Sequence, residues 1–564
     1  MRHEGVCMLH SPADTTVPGT TTAEPAPARL SPCQVALVSA PYDEGPQLVL
    51  PLGLMNIAAY AEDKLGERVD VRLYDFAGYE KADLAPMRRL AAHGVEVVAF
   101  SVYSSHVPTV IAWAQELRRL LPGVRLIAGG PHATLAWSEF VACYGHIFDA
   151  VVAGEGERPF TELLLRHLEG LPFDAPPIPG VGVRTADGTS VLPPVGPTVE
   201  TDEWVNPFRS KVAVGTTTRL VYNDHVDRRT RSAVALTTSR SCPMKCYFCS
   251  IIAMPDKYRS AKPDQLVGWL REAMDEEPFE HAYFMDADFF TSRSRVLAFA
   301  GALHEAFPDL TWSTSATVGH LIALEDKLPY LKECGLRFVE MGIEAGSDRE
   351  LDFLGKKNFG KPATAVQSVQ AVSALQRLGL GVGVDYIMFY PHQTLEDLAL
   401  NLVFLRRADL VDEPNSDHYF TELMLYPGTP LRTFYENLRG KPFDLELLPE
   451  LDDLYIDGRV LRIRDLFRGE FRARYLERHE TLLDRLVTAA RQAQPENPAR
   501  ARALRFAEVR LRHVPYRVLE ALIRNEGTTS LDSACPWLEE AYATAEALLA
   551  SARPEPAQLV GAGH

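Results

Sequence analysis

Apolar and polar positions fall into two long series along the chain, each made of short apolar runs separated by stretches of helical periodicity. The first series opens at residue 33. Val35-Ala36-Leu37-Val38 is a brief apolar run that ends at Pro41 and fits a buried parallel strand. Residues 53–65 carry apolar positions at helical spacing, and Val69 to Tyr74 alternates as a strand. Val97 to Val102 is a third strand, followed by a helix over roughly 108–121. Arg125 to Ala128 is a fourth, stopped by Gly129-Gly130-Pro131. Asp149 to Ala153 is a fifth, ending in Gly154-Glu155-Gly156-Glu157. Strands alternating with helices in this way predict a doubly wound, Rossmann-like α/β domain over 32–170.

Residues 171–232 change character. Proline is dense, and Val181 to Pro193 reads as a hairpin turning at Asp187-Gly188, so the segment is expected to be a linker with some β structure. The second series starts at Val234, with strands expected at 234–239, 281–286, 311–316, 337–343, 382–389 and 418–425. Helical patterns lie between them, among them 262–275, 293–306 and 365–378. Six such units predict a partial (β/α)6 barrel over 233–435, with chemistry at the strand C-termini. Residues 436–564 form a helical C-terminal region, amphipathic over 465–492 and 498–525, punctuated by Pro495-Glu496-Asn497-Pro498 and frayed over the last dozen residues. Residues 1–31 lack an apolar stretch and read as a disordered tail, not a secretory signal. No short fixed period is visible, which excludes a solenoid.

Composition narrows the class. A chain of 564 residues needs several domains, and 46% hydrophobic with 24% charged residues is the balance of a soluble globular protein. A net charge of −17 speaks against nucleic-acid binding, and no apolar run is long enough to span a membrane. Of eight cysteines, five are scattered and three are clustered, the pattern of a reducing cytoplasm and not of a disulfide scaffold.

The cluster is the strongest chemical signal. Ser239-Arg240-Ser241-Cys242-Pro243-Met244-Lys245-Cys246-Tyr247-Phe248-Cys249 follows the first strand of the second series. Three thiolates spaced C-x3-C-x2-C can reach three corners of one [4Fe–4S] cubane from a single loop. A zinc site lacking its fourth ligand, or free thiols, would be the alternatives. Structural zinc normally closes with four ligands, and no second cysteine pair lies nearby.

At these residues the sequence resembles the radical S-adenosylmethionine (SAM) superfamily, over about 233–435. The resemblance implies that Cys242, Cys246 and Cys249 ligate the cluster, that SAM chelates the open iron, and that one electron cleaves it to a 5′-deoxyadenosyl radical. Further residues match by position. Phe248 precedes the last cysteine. Asp286 and Asp288 end the second strand, where the superfamily contacts SAM's amino group, although its usual Gly-Gly-Glu is absent here. Ser315 ends the third strand, and Glu344, in Glu340-Met341-Gly342-Ile343-Glu344-Ala345-Gly346, takes the ribose position. Ile387 to Pro391 resembles the strand beneath the adenine. Tyr426-Pro427-Gly428-Thr429-Pro430 resembles the turn that ends the sixth strand in cobalamin-type members.

The loops of the first series extend the resemblance to the cobalamin-binding radical SAM enzymes, over about 33–435. Ala40-Pro41-Tyr42, Pro51-Leu52-Gly53-Leu54, Gly129-Gly130-Pro131-His132-Ala133-Thr134 and Gly154-Glu155-Gly156-Glu157 occur in that order before the cysteines. The implied cobalamin contacts are Tyr42, Ser101, Tyr103, Gly129, Gly130, Pro131, His132 and Glu155, with Ser101 placed to meet the dimethylbenzimidazole tail. Residues 41–52 contain no histidine, so the usual cobalt-ligating imidazole is missing; His106 and His132 are expected to be surface or hydrogen-bonding residues.

The family implies methyl transfer from SAM through methylcobalamin to a carbon of a small-molecule or peptide substrate. An external flavodoxin- or ferredoxin-type electron donor is implied as well. No nucleic-acid or membrane partner is expected, and the acid/base residue is not readable. A non-methylating cyclisation, ring contraction or rearrangement is the alternative reaction, and a non-catalytic cluster protein the alternative class.

Overall fold

The computed structural model describes residues 31–41, 50–196, 198–214, 220–224, 226–227, 229–411, 417–445 and 449–551. The expected N-terminal tail up to residue 30, Tyr42, the middle of the Pro41–Leu52 loop and the frayed end from 552 lie outside the described residues.

Strands β1 (Cys33–Ser39), β2 (Val69–Asp75), β3 (Val97–Ser101), β4 (Arg125–Gly129) and β5 (Ala150–Val152) run parallel in the order β2-β1-β3-β4-β5. Apart from β2, which alternates, they are almost continuously apolar because both faces are covered. Val35 and Leu37 pack with the helices Leu52–Leu65 and Glu157–Glu169. Ala36 and Val38 face the opposite core, with the helices Ala85–Ala92 and Val107–Leu120. The order reverses between β1 and β3, the place where an open parallel sheet leaves a crevice beyond its strand C-termini.

The segment 171–232 does more than connect. Its hairpin, β6 (Val181–Arg184) and β7 (Ser190–Val191), adds antiparallel to β5, and β8 (Lys211–Val214) adds parallel to β2. Gly188 makes the hairpin turn at φ +85°, and Asp187 accepts from Thr189 N at 3.0 Å. The expected linker thus covers both edges of the sheet, which would otherwise present unpaired backbone.

The second sheet has the order β14-β13-β12-β11-β10-β9. Its strands are β9 (Leu220–Asn223), β10 (Thr230–Leu236), β11 (His281–Phe284), β12 (Thr311–Thr317), β13 (Leu336–Glu344) and β14 (Gly381–Tyr386). β9 is antiparallel to β10, and the other neighbours are parallel, giving an open half-barrel. The expected sixth parallel strand over 418–425 does not form. That segment begins with a 3-10 turn, Asp417–Tyr419, and keeps one bridge, Phe389 to Glu422. Thr421 explains the loss. Its hydroxyl donates to Tyr386 O (2.5 Å) and accepts from Met388 N (3.1 Å), occupying the groups a continuing ladder would pair.

The C-terminal region is helical, as its pattern predicts, but the expected helix over 498–525 breaks. Pro498–Arg512 ends at His513, and Val514–Arg524 restarts with Pro515 in its first turn. A file of rings fastens this region to the barrel: Phe420 to Phe467 at 4.8 Å, Phe467 to Phe471 at 5.2 Å, Phe471 to Tyr475 at 5.6 Å and Tyr475 to Tyr542 at 5.3 Å.

Trp312 on β12 is fully buried, touches Phe284 and Phe289, and donates its indole N–H to Cys334 O at 2.8 Å. Trp312→Ala removes that volume and strands the carbonyl. It should destabilise the half-barrel by about 3–5 kcal/mol, read as a lower melting transition in calorimetry.

Candidate functional site

The cysteine loop is built by its stems. β10 ends at Leu236, earlier than its apolar pattern suggests, because Asp286 captures the next backbone groups. The Asp286 carboxylate is buried and accepts from Thr238 N (2.5 Å), Ser239 N (3.0 Å), Thr238 Oγ1 (2.5 Å) and Ser239 Oγ (2.7 Å). Ser239-Arg240 then pairs antiparallel with Arg259-Ser260, closing the loop at its base. Ser241 takes φ +63°, a left-handed conformation that costs a non-glycine residue about 1–2 kcal/mol. Within the loop, Tyr247 N donates to Leu354 O (2.9 Å), and Tyr247 O accepts from Leu431 N (3.1 Å). Gly355, at φ +72°, leaves room for the Tyr247 ring, since a Cβ there would lie 2.7 Å from it.

Cys246 is buried, and Cys242 and Cys249 are half-buried. Burial pushes the Cys242 thiol up to about 12 and the Cys246 thiol up to about 11, and raises Cys249; the neighbouring thiols add to the effect on Cys242. Three thiols on one short loop, each costly to ionise alone, would suit an iron–sulfur cluster that ligates them as thiolates.

The strand ends of the half-barrel surround this loop. Glu344 ends β13 at φ +69° and is ion-paired with buried Lys356 (3.2 Å), whose Nζ also donates to Gly342 O at 2.8 Å. Asp288 accepts from Thr317 Oγ1 (3.0 Å) and meets His320 Nδ1 at 2.5 Å. That hydrogen bond outweighs burial and raises the His320 pKa. Ser315 lies half-buried on β12, and Tyr283 donates to Glu340 at 2.7 Å on the neighbouring strands. Phe248 packs against the apolar cluster of Leu351, Leu354 and Leu431.

Of the five SAM-side residues read from the sequence, Asp286 has a different place. Its two oxygens are spent on four donors of the Thr238-Ser239 stem, so it builds the loop and offers no free acceptor. Sequence reasoning missed Lys356, His320, Glu340 and Asp385. Burial and the nearby Glu340 and Glu344 carboxylates push Asp385 up to about 7, at the open mouth of the half-barrel. A lysine or histidine on a connecting segment carries no local pattern that marks where it points.

Beyond the C-terminal ends of β1, β3, β4 and β5 lies an open cavity of about 310 Å³. Ser101, Tyr103, Gly129, Gly130, Pro131 and Glu155 all line it. Tyr103 is 41% exposed, its ring standing into this space. Gly130 sits at φ +92°, where a Cβ would come within 2.7 Å of Val102 N, so only glycine lets the β4 loop cross β3 this closely. Gly53 meets nothing within 4 Å of its missing Cβ, leaving backbone open to a bulky ligand. His132 departs from its expected ligand role. It is 2% exposed, its Nδ1 is 2.9 Å from Ser104 Oγ, it does not line the cavity, and burial pushes it down to about 4. His106 is likewise buried and pushed to about 4, with a hydrogen bond to the Ser101 backbone, so both are hydrogen-bonding histidines and neither lies on the surface. Tyr42 lies outside the described residues.

The opposite wall of the cavity belongs to the half-barrel, through Thr237 and Arg240. Arg240 reaches Glu155 (3.0 Å) and Glu157 (2.6 Å) and stacks over Trp204 at 4.4 Å. Arg259, at the other stem of the cysteine loop, reaches the same Glu155 at 2.6 Å. Burial opposes charge on Glu155, but Arg259 and Arg240 hold its carboxyl below the ordinary range. Glu155, read from the sequence as a cofactor contact, is therefore the acceptor that joins both stems of the cysteine loop to the α/β sheet.

Comparison with known proteins agrees with this two-part site. The B12 binding domain family matches residues 43–164, and the Radical SAM superfamily matches residues 236–404. An uncharacterized methyltransferase of Pyrococcus horikoshii, PH0819, is 25% identical over 386 residues, 68% of this chain and 77% of that protein. An anaerobic magnesium-protoporphyrin IX monomethyl ester cyclase of Rubrivivax gelatinosus is 22% identical over 62% of this chain and 60% of its own length. Among solved structures, the cobalamin-dependent S-adenosylmethionine radical enzyme OxsB, with aqua-cobalamin and S-adenosylmethionine bound, superposes with a TM-score of 0.66. It is 15% identical and covers 92% of this chain and 80% of its own. Among the described residues, no helix is long and apolar enough to cross a membrane.

Glu155→Gln removes the carboxylate shared by the two largely shielded guanidiniums but leaves Arg240 paired with Glu157 and Arg259 with Asp256. It should cost about 1–3 kcal/mol and lower the melting transition, whereas Glu157→Gln, which touches only Arg240, should cost less. The Asp288–His320 pair has its own pH signature. Because the folded pKa of His320 is raised, its stabilisation is complete below the unfolded value of about 6.5 and is lost as pH rises through the folded value. His320→Gln should remove that limb from a plot of stability against pH.

Proposed function

Because this chain belongs to the cobalamin-binding radical SAM enzymes, we propose that it is a methyltransferase carrying a methyl group from SAM, by way of cobalamin, to a carbon of a small-molecule or peptide substrate. The observation that carries this reading is the shared cavity. The stem of the three-cysteine loop and the strand ends of the α/β sheet face the same space, so a carrier seated on one side is presented to radical chemistry on the other.

The residues present fit the groups this chemistry needs. Cys242, Cys246 and Cys249 supply three soft ligands from one loop and leave a fourth iron site for SAM. Phe248, Asp288, Ser315 and Glu344 would be the SAM-side residues. The corrin side is Ser101, Tyr103 and the Gly129-Gly130-Pro131 turn. When bound, the cluster and SAM supply one-electron chemistry, and cobalamin supplies a carrier for the methyl group.

The chain's own residues do the positioning. Asp286 fixes the first stem of the loop, and Glu155 fixes both stems against the α/β domain. Lys356 neutralises Glu344 beside the buried Cys246 thiol, so the two charges stay paired in a region that disfavours either alone. Glu340, on β13, and the exposed Asp385, on β14, would face the substrate. An external flavodoxin- or ferredoxin-type donor, in a reducing cytoplasm, completes the reading.

A second reading is a non-methylating cyclisation or rearrangement, favoured by the likeness to the cyclase of Rubrivivax gelatinosus. Product mass separates the two. Anaerobically reconstituted enzyme, given methyl-deuterated SAM, should yield S-adenosylhomocysteine and a product heavier by one labelled methyl. Cys242→Ala, Cys246→Ala and Cys249→Ala together should abolish both the cluster absorbance and 5′-deoxyadenosine formation. A product of unchanged carbon count would favour the second reading. Failure of the cluster-loaded enzyme to cleave SAM would leave neither.

A further inference from the structure

A second group of metal-ligating side chains lies at the other end of the α/β sheet, away from the cavity. Cys33 is the first residue of β1, Glu96 immediately precedes β3, and His167 is in the last turn of the helix Glu157–Glu169. One ligand atom from each falls within 4.8 Å of the other two. His167 Nε2 is 3.8 Å from Glu96 Oε2. None of these residues lines the cavity, which lies at the strand C-termini, whereas this group sits at the N-termini.

We propose that Cys33, Glu96 and His167 form a binding site for a single zinc-type divalent ion, with one position left for water. The donor set is the first argument. A thiol, an imidazole and a carboxylate are the three side chains zinc uses, and zinc tolerates any mixture of them in a tetrahedron. Size is the second. Zinc bonds of about 2.0–2.3 Å set tetrahedral donor atoms roughly 3.3–3.8 Å apart, so the observed spacing needs only small side-chain adjustments.

Orientation is the third argument. The other oxygen of Glu96, Oε1, accepts from Gln34 N at 3.3 Å, which turns Oε2 toward His167. The carboxylate is also anchored through its backbone, since Glu96 N donates to Gln34 O and Glu96 O accepts from Arg125 N, both at 2.9 Å. Charge is the fourth. Cys33 is fully buried, and a divalent ion would neutralise its thiolate together with the Glu96 carboxylate. Glu96 and His167 are half-buried, while Cys33 and His167 Nε2 are shielded from solvent, so the ion would bring its fourth ligand, a water, with it. The ion would join β1, the entry to β3 and the helix after β5 at one point.

Cobalt(II) titration of the full-length chain, in a Cys242→Ala, Cys246→Ala, Cys249→Ala background that removes the competing thiolates, tests the site. One equivalent should bind, with a thiolate-to-cobalt charge-transfer band and the intense visible bands of tetrahedral cobalt, and zinc should displace it. Adding Cys33→Ser should abolish the charge-transfer band. Glu96→Gln and His167→Gln should each weaken binding by about tenfold or more, with unchanged circular dichroism. Zinc analysis gives an independent count in the cluster-loaded chain: one ion with Cys33 present, none in Cys33→Ser. The absence of a charge-transfer band, or a band that survives Cys33→Ser, overturns the proposal and leaves the three side chains as packing at the base of the sheet. So does equal zinc content in the two cluster-loaded proteins.

Discussion

The carboxylate of Glu155 is the constraint on which the rest of the site depends. It leaves the C-terminal end of β5, crosses to the half-barrel and accepts from Arg240 and Arg259, the residues at the two stems of the cysteine loop. Glu157, two residues on, also pairs with Arg240, and Asp256 pairs with Arg259, so each guanidinium has a carboxylate of its own besides the shared one. Trp204 adds an aromatic face beneath Arg240 at 4.4 Å. These charges are mostly shielded from water, so each would be costly unpaired and the arrangement tolerates few alternatives. The distance between the sheet's ligand crevice and the three thiols follows from this contact.

The same logic recurs inside the half-barrel. Asp286 gives up both oxygens to hold Thr238 and Ser239, and so ends β10 where the cysteine loop must begin. Glu344 accepts a left-handed backbone at the end of β13, with Lys356 as its ion-pair partner. Thr421 takes the backbone partners that would have carried a sixth strand and keeps that side of the barrel open. Each is a polar side chain replacing a regular backbone hydrogen bond, placed where the chain must turn toward the site. Regular structure is interrupted where chemistry needs access and is continuous elsewhere.

The C-terminal helices contribute in a different way. They reach the barrel through stacked rings from Phe420 to Tyr542, a contact that depends on area and not on charge. An ionic contact on one side and an aromatic one on the other hold the half-barrel between its neighbours. The half-barrel carries its buried thiols and its acidic mouth between them.

Much of this was legible in the residues. The β1 to β5 runs, the Gly129-Gly130-Pro131 turn and the C-x3-C-x2-C spacing are local patterns, and local backbone preference together with burial on both faces determines them. The sequence by itself determined which elements exist, their order, and that three thiols share one loop. Tertiary structure decided the rest. It turned Asp286 from a ligand contact into a loop anchor and Glu155 from a cofactor contact into the link between domains. It also buried His132, recruited Lys356 and His320, and drew the 171–232 segment onto both sheet edges. A side chain's role is set by what it faces once distant elements pack, and a carboxylate reads the same in a sequence whether its partner is a ligand or an arginine 104 residues away.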